Sequence, residues 1–173
     1  MNRLRLLWAV LLVSLPGVSY QVPSVGATLT AEEEKESYQI YSTLLEEQDS
    51  HAEWAIVQHT KAFDMCLHPS KEQESIYRPL LDDYSAKNKQ GFVLGPYFNL
   101  PAYTMVTPEE WTRDTRSRMF AVFSAIGFNR DRTRAAVCLW AGSGGGACHV
   151  LIKKDDIWQR DQNWRGEGCG WAA

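Results

Sequence analysis

Four short apolar runs in the last third of the chain constrain its fold more than any other feature. Their limits are residues 119–128, 135–140, 147–154 and 157–160. Turn-forming residues separate them, at residues 129–132, 142–146 and 155–156. Connections as short as these can join only antiparallel neighbours. The sequence therefore predicts an antiparallel meander sheet in the carboxyl-terminal half.

Two helices are predicted in the amino-terminal half. Residues 30–49 begin with Thr30 and Glu33, which have the spacing of a capping box. Apolar residues then recur at helical spacing, at Tyr38, Tyr41, Leu44 and Leu45. Residues 70–88 show the same periodicity, and we expect Pro79 to start a separate helix within them. The predicted fold class is therefore α+β, with the helices packed against one face of the sheet.

Two further apolar segments are shorter. Residues 54–57 and 103–106 are rich in β-branched or aromatic residues and are predicted to be strands. Thr107 is followed by Pro108 and two glutamates, which is typical of the first turn of a helix. We expect these elements to extend the core formed by the two longer helices and the meander.

Residues 1–27 have the order of regions that is found in a secretory signal peptide. Arg3 and Arg5 precede an apolar run, and small residues follow it. The apolar run of about ten residues is half of what a membrane-spanning helix needs. We expect cleavage after Ser19 or Ala27, and the sequence does not choose between them. The predicted location is secreted or periplasmic, with no permanent membrane span after cleavage.

The length and charge of the chain limit its organisation and its partners. The 173 residues carry 18 Lys and Arg against 21 Asp and Glu, a formal net charge of -3. This balance provides no general attraction to polyanions, so we expect no nucleic-acid partner. We expect one domain over residues 28–160 and an irregular tail over residues 161–173. The expected partner is a protein or a small ligand.

The four cysteines permit two disulfides in an exported chain. Cys138 and Cys148 flank the glycine-rich turn, so a tight hairpin brings them close together and we predict a disulfide between them. Cys66 and Cys169 are the other two cysteines. The spacing of these residues and His149 matches no common zinc site, so no metal is predicted.

Three residues are weak candidates for catalysis. Ser143 lies among glycines, as the nucleophile of serine hydrolases does, but a strand is predicted after it where those enzymes have a helix. Cys148 precedes His149, and adjacent residues of a strand point to opposite faces. A thiol mechanism would need another histidine, such as His59. The sequence therefore predicts no complete catalytic set and no cofactor.

Seven tryptophans suggest carbohydrate binding, because flat aromatic rings can stack on sugar rings. Trp54, Trp140 and Trp158 lie in predicted strands, where packing in the core is the expected role. The candidates for facing a ligand are Trp111, Trp164 and Trp171.

A series of short motifs runs through most of the chain. They are residues 38–45, 56–60, 84–88, 98–100, 103–110, 123–129, 135–139 and 150–153, with Trp158. Their order and spacing resemble an uncharacterised family of exported bacterial proteins. That family has a Ser-x-Val-Gly-Phe-Asn segment, an Ala-Leu-Val-Tyr-Val strand, a glycine-rich turn, a Tyr-Val-Leu-Leu strand and a closing Gly-x-Trp. Cys148 and His149 stand where the family tends to have aromatic residues. The resemblance implies a secreted α+β domain and no particular reaction.

These observations favour a non-catalytic binding or interaction module of the cell envelope. The alternative is a small secreted hydrolase that uses His59, Ser143 or Cys148. A hydrolase needs titratable groups that converge in one pocket, whereas a binding module needs an exposed apolar or aromatic patch. The structure can therefore separate the two hypotheses.

Overall fold

The computed structural model describes residues 29–63, 66–113, 119–142, 145–167 and 170–172. The predicted signal peptide lies outside these residues. None of the helices within them has the length and apolar character needed to cross a membrane. The elements are α1 (Ala31–Gln48), β1 (Trp54–Val57), α2 (Glu74–Lys87), β2 (Tyr103–Val106), α3 (Pro108–Arg113), β3 (Met119–Phe123), β4 (Gly127–Phe128), β5 (Arg134–Ala141), β6 (Gly145–Lys154), β7 (Ile157–Arg160) and β8 (Gly170–Ala172).

The strands form a mixed sheet, so the prediction of a purely antiparallel meander is wrong. The strand order is β2-β1-β3-β5-β6-β7, with β4 beside β5 and β8 beside β6. β1 runs parallel to both β2 and β3, whereas β5 and β6 pair antiparallel with all their neighbours. Tight turns force antiparallel pairing only in the last third. The β1–β2 connection contains α2, and a connection of that length permits a parallel return.

The first predicted run of the meander, residues 119–128, forms two strands instead of one. Between β3 and β4, the side chain of Asn88 bonds both the N–H and the C=O of Ala125, at 2.9 and 3.0 Å. The Ser124 hydroxyl accepts the N–H of Cys138 at 2.8 Å. The N–H of Ser124 still donates to the Cys138 carbonyl at 2.9 Å, but side chains supply the partners of Ala125 and of the Cys138 N–H, and β3 ends at this point. β4 then packs against α2.

Helices cover both faces of the sheet, whereas the sequence predicts packing on one face. Leu44 of α1 belongs to the core cluster that contains Val137 of β5. Leu80 of α2 belongs to a second cluster, which contains the next residue of β5, Cys138. Residues 135–139 are all buried, which is typical of a strand enclosed on both faces. The unbroken apolar run of β5 therefore explains why α2 covers the second face of the sheet.

The amino-terminal end of α1 and the middle of α2 test two predictions of local structure. The capping box is present, because Glu33 N–H donates to Thr30 Oγ1 at 3.2 Å and Thr30 N–H donates to Glu33 Oε2 at 3.0 Å. Pro79 does not start a separate helix; α2 continues through it. Proline removes one helical hydrogen bond. Burial of Leu80, Leu81 and their neighbours on the sheet offsets that loss.

The segment predicted as an irregular tail is part of the fold. Residues 161–167 contain no helix or strand, but Asp161 is buried. Gly170–Ala172 form β8, which pairs antiparallel with β6. The tail therefore closes one edge of β6 next to β7.

A disulfide joins Cys138 to Cys148, which lie directly opposite each other in β5 and β6. This agrees with the local pairing that the glycine-rich turn predicts. Cys66 is also disulfide-bonded. Cys169 lies outside the described residues.

We expect non-reducing peptide mapping of the purified protein to recover one peptide pair linked through Cys138 and Cys148. The physical reason is their register, which holds the two side chains in contact in the folded state. A sample reduced before digestion is the control and should release both peptides. Complete alkylation of both cysteines without reduction would contradict this assignment.

Candidate functional site

The structure bears on two of the three weak catalytic candidates. Cys148 has no thiol while it is bonded to Cys138, so it cannot act as a nucleophile in this state. His59 is exposed, and its ring makes no hydrogen bond to another described residue. Ser143 lies outside the described residues. The described part of the chain therefore brings no nucleophile and base together around these positions.

Two of the candidate tryptophans pack against other aromatic rings. The Trp111 ring lies edge-on to Trp140, with 6.0 Å between the ring centroids. The Trp164 ring lies edge-on to Tyr77, with a centroid distance of 4.9 Å. Both side chains are half-buried. The side chain of Trp171 lies outside the described residues.

One open surface with an aromatic lining is a groove between α1 and the loop of residues 95–99. Its volume is about 390 Å³, and it is lined by Ala31, Glu34, Lys35, Tyr38, Gln39, Tyr97 and Asn99. Tyr97 is 64% exposed, and its ring lies edge-on to Tyr38 at 5.3 Å. We call this surface the tyrosine groove. Its size lies within the range of small-molecule sites in proteins.

The loop that carries Tyr97 is fixed to α1 on both sides of that residue. The N–H of Gly95 donates to the Tyr38 hydroxyl at 2.5 Å, and the N–H of Asn99 donates to Ser42 Oγ at 2.9 Å. Phe98, between them, is buried in the core. Burial raises the pKa of Tyr38, so its hydroxyl stays protonated and neutral. The exposed ring of Tyr97 is therefore held on a rigid support.

The rim of the tyrosine groove is polar and carries no net charge. Glu34 and Lys35 are exposed, and neither forms an ion pair with another described residue. Gln39 and Asn99 add two exposed amides, each of which can donate and accept hydrogen bonds. This combination suits an uncharged ligand that presents several hydroxyl groups around an apolar face.

The buried charges elsewhere in the molecule are engaged in structural contacts. The side chain of Asp161 is fully buried; it accepts hydrogen bonds from the Tyr77 hydroxyl at 2.8 Å and the Asn163 N–H at 2.9 Å, and lies 3.6 Å from Arg134. Glu36 pairs with Lys153 at 3.0 Å. Among the residues that the structure describes, no group of three or more His, Cys, Asp or Glu side chains can hold a metal ion.

Comparison with known proteins gives no relative. No protein-family model matches the chain, and no curated protein or solved structure matches it.

Sequence reasoning missed Tyr97, the most exposed tyrosine of the groove. The available signal is its position in Gly95-Pro96-Tyr97, because an aromatic residue in a turn cannot join the periodic core of a helix or strand. The partner Tyr38 was predicted as part of an apolar helical stripe, and it is buried as expected. The contact between Tyr38 and Tyr97 forms only in the folded chain, so the helical periodicity of the sequence cannot predict it.

Proposed function

We propose that this chain is a non-catalytic binding module that acts outside the cytoplasm and binds an uncharged sugar ring in the tyrosine groove. One observation carries the proposal: the Tyr97 ring is largely exposed although the backbone on both sides of it is fixed. An exposed aromatic ring leaves water only when a partner covers it, so its burial can contribute to the free energy of binding. A ring that is already fixed in place loses little conformational entropy when it binds.

The chemistry of the groove supports a sugar over other small ligands. The face of the Tyr97 ring can pack against the C–H groups of a pyranose. The amides of Gln39 and Asn99 can each donate to one hydroxyl and accept from another. Glu34 adds an acceptor and Lys35 a donor, so the hydroxyls of the ring find both kinds of partner. A charged ligand would meet both signs of charge at this rim.

The hydrolase hypothesis has less support from the described residues. It needs a nucleophile within hydrogen-bond distance of a base. The Cys148 sulfur is bonded to Cys138, and the His59 ring has no such partner among the described residues. A binding module needs only the exposed and fixed aromatic surface, which the tyrosine groove provides.

Two observations support an extracytoplasmic location as part of the proposal. Residues 1–27 have the composition of a signal peptide. Disulfides, such as Cys138 with Cys148, persist mainly in oxidising compartments.

We expect the protein to bind at least one member of a panel of cello-, malto- and chito-trioses, measured by isothermal titration calorimetry. Tyr97→Ala should weaken that binding by about tenfold or more, because it removes the stacking surface. Tyr97→Phe should retain most of the affinity, since it keeps the ring. The measurement is the dissociation constant of each variant.

Val93→Ala is the matched control, because Val93 is 72% exposed on the same loop region but does not line the groove. Gly95→Ala is a second probe: its new Cβ would lie 2.5 Å from Cε2 of Tyr97 and displace the ring without removing it. We expect Gly95→Ala to weaken binding and Val93→Ala to leave it unchanged. Equal losses for Val93→Ala and Tyr97→Ala, or no binding to any triose, would contradict the proposal.

A further inference from the structure

A cavity at the edge of the sheet gives access to one sulfur of the Cys138–Cys148 disulfide. Its volume is about 280 Å³, and residues of β6, of β7 and of the chain after β7 line it. Cys148 lines this cavity and Cys138 does not. Leu67, Val150 and Trp164 also line it, and they pack with Cys148 in the cluster on the α2 face of the sheet. The side chain of Cys148 therefore faces this cavity, which we call the Cys148 pocket.

The two sulfurs of this disulfide differ in their accessibility. Cys138 is 0% exposed, whereas Cys148 is 7% exposed. The two residues lie directly opposite each other in β5 and β6, so the S–S bond runs across the pair of strands. The Cys148 pocket lies on the far side of β6 from β5. A thiolate attacks a disulfide in line with the S–S bond, opposite the sulfur that leaves. A thiolate in the pocket would therefore attack Cys148 and displace Cys138.

Tyr84 of α2 is placed to assist the departure of Cys138. Its hydroxyl donates a hydrogen bond to Sγ of Cys138 at 3.2 Å. Tyr84 is buried, so water competes little for this contact. A hydrogen bond to a thiolate stabilises its negative charge, and a stabilised thiolate leaves faster. Access and leaving-group stabilisation thus favour the same direction of attack.

We propose that Cys148 is a site of reversible modification by a small thiol that enters the Cys148 pocket. The incoming thiolate forms a bond to Sγ of Cys148, and the bond between Cys148 and Cys138 breaks. Its electron pair leaves on Sγ of Cys138, which takes up a proton from solvent. One disulfide and one thiol give one mixed disulfide and one thiol, so no oxidant or reductant is consumed. The reaction does not depend on the sugar proposed for the tyrosine groove.

The test on the wild-type protein uses β-mercaptoethanol, mixed with its own disulfide, under native conditions. The exchange is stopped with acid, and free thiols are blocked with N-ethylmaleimide at low pH. Chymotrypsin then separates the two cysteines by cleaving after Leu139 or Trp140, and mass spectrometry locates each group. We expect the hydroxyethyl group on Cys148 and the maleimide on Cys138, in at least about tenfold excess over the reverse arrangement.

Three results of this experiment would overturn the proposal. Equal labelling of Cys138 and Cys148 would mean that local unfolding exposes both sulfurs. A hydroxyethyl group on Cys66 alone would place the reactive disulfide elsewhere. The absence of any mixed disulfide would mean that the Cys148 pocket does not admit the thiol.

Two single-cysteine substitutions test the same access from the opposite direction. Cys138→Ser leaves Cys148 as a thiol, and Cys148→Ser leaves Cys138 as a thiol. We expect dipyridyl disulfide to react at least about tenfold faster with Cys138→Ser, because only Cys148 lines the pocket. Circular dichroism reports whether each variant is folded. A faster reaction of folded Cys148→Ser would contradict the proposal.

Tyr84→Phe tests the assignment of the leaving sulfur, because it removes the hydroxyl and keeps the ring. We expect it to slow the formation of the mixed disulfide by about threefold or more. Tyr41→Phe is the matched control: its hydroxyl is also buried, but it donates to the Ser124 carbonyl, and the Tyr41 ring packs in the cluster on the α1 face. Equal rates for the two variants would contradict the assignment of Cys138 as the leaving sulfur.

Discussion

Gly127→Ala is expected to lower the free energy of unfolding by at least about 3 kcal/mol. Gly127 lies in β4, where the strand presses against α2. A Cβ built at this position would overlap the carbonyl oxygen of Leu80 and the backbone nitrogen and Cβ of Tyr84. These are mostly backbone atoms in the middle of a helix, so they cannot move aside as a flexible side chain can. The extra methyl group must therefore separate α2 from the sheet or distort both.

Chemical denaturation monitored by circular dichroism measures this loss, and Gly91→Ala is the control. Gly91 has a φ of 69°, a backbone conformation that residues with a side chain rarely adopt. A Cβ at this position would meet only the Thr60 carbonyl oxygen and hydroxyl, at 3.5 and 4.0 Å. Gly91→Ala should therefore cost only the strain of a left-handed residue, about 1 kcal/mol. If Gly127→Ala costs no more than Gly91→Ala, the close approach of α2 to β4 is incorrect.

Local structure was predictable where neighbouring residues decide it. The capping box of Thr30 and Glu33 acts over three residues, and it is present. The glycine-rich turn between residues 138 and 148 fixes an antiparallel hairpin, so the contact between the two cysteines followed from the sequence. In each case the interaction closes a short loop, and few alternatives compete with it.

The parallel part of the sheet was not predictable in this way. β1 lies between β2 and β3, although long segments of chain separate the three strands. Hydrophobic pattern alone does not fix the order or the direction of strands that long connections join. The second helical layer does have a signal in the sequence, because residues 135–139 are apolar without alternation. That pattern favours a strand buried on both faces.

The candidate sites were the least predictable part. Tyr97, Gln39 and Asn99 come from a helix and a loop that meet only in the folded state. The Arg160 guanidinium reaches His149 Nδ1 and donates to it because β6 and β7 are adjacent, and this bond places the imidazole proton on Nε2. From the sequence alone, His149 is a candidate only as a partner of Cys148 or as a metal ligand beside the cysteines. The groups that surround a side chain are set by the tertiary fold. The chemistry of these residues could therefore be inferred only from the structure.

We expect the protein to lose roughly 2–3 kcal/mol of its free energy of unfolding through His149 alone as the pH falls from 7 to 4.5. Burial, and then the charge of Arg160, lower the pKa of His149 from 6.5 to about 4. Between these two values the unfolded chain binds a proton that the native state does not bind. Acidification therefore favours unfolding over this range, and the contribution is regained as the pH rises above the unfolded-state pKa of 6.5.

His149→Gln isolates this effect, because glutamine does not titrate. The free energy of unfolding, measured by urea denaturation at intervals between pH 7 and 4.5, should fall less steeply for His149→Gln than for the wild type. His59→Gln, which removes an exposed imidazole, is the matched control and should follow the wild-type profile. Burial raises the pKa of Glu33, but hydrogen bonds from Lys87 and Thr30 outweigh it and lower that pKa from 4.5 to about 2. The resulting stabilisation is complete above about pH 4.5 and is lost as the pH falls towards 2. The chosen range therefore separates the two groups. Parallel profiles for the wild type and His149→Gln would show that burial and the nearby charge of Arg160 do not hold His149 neutral in the native state.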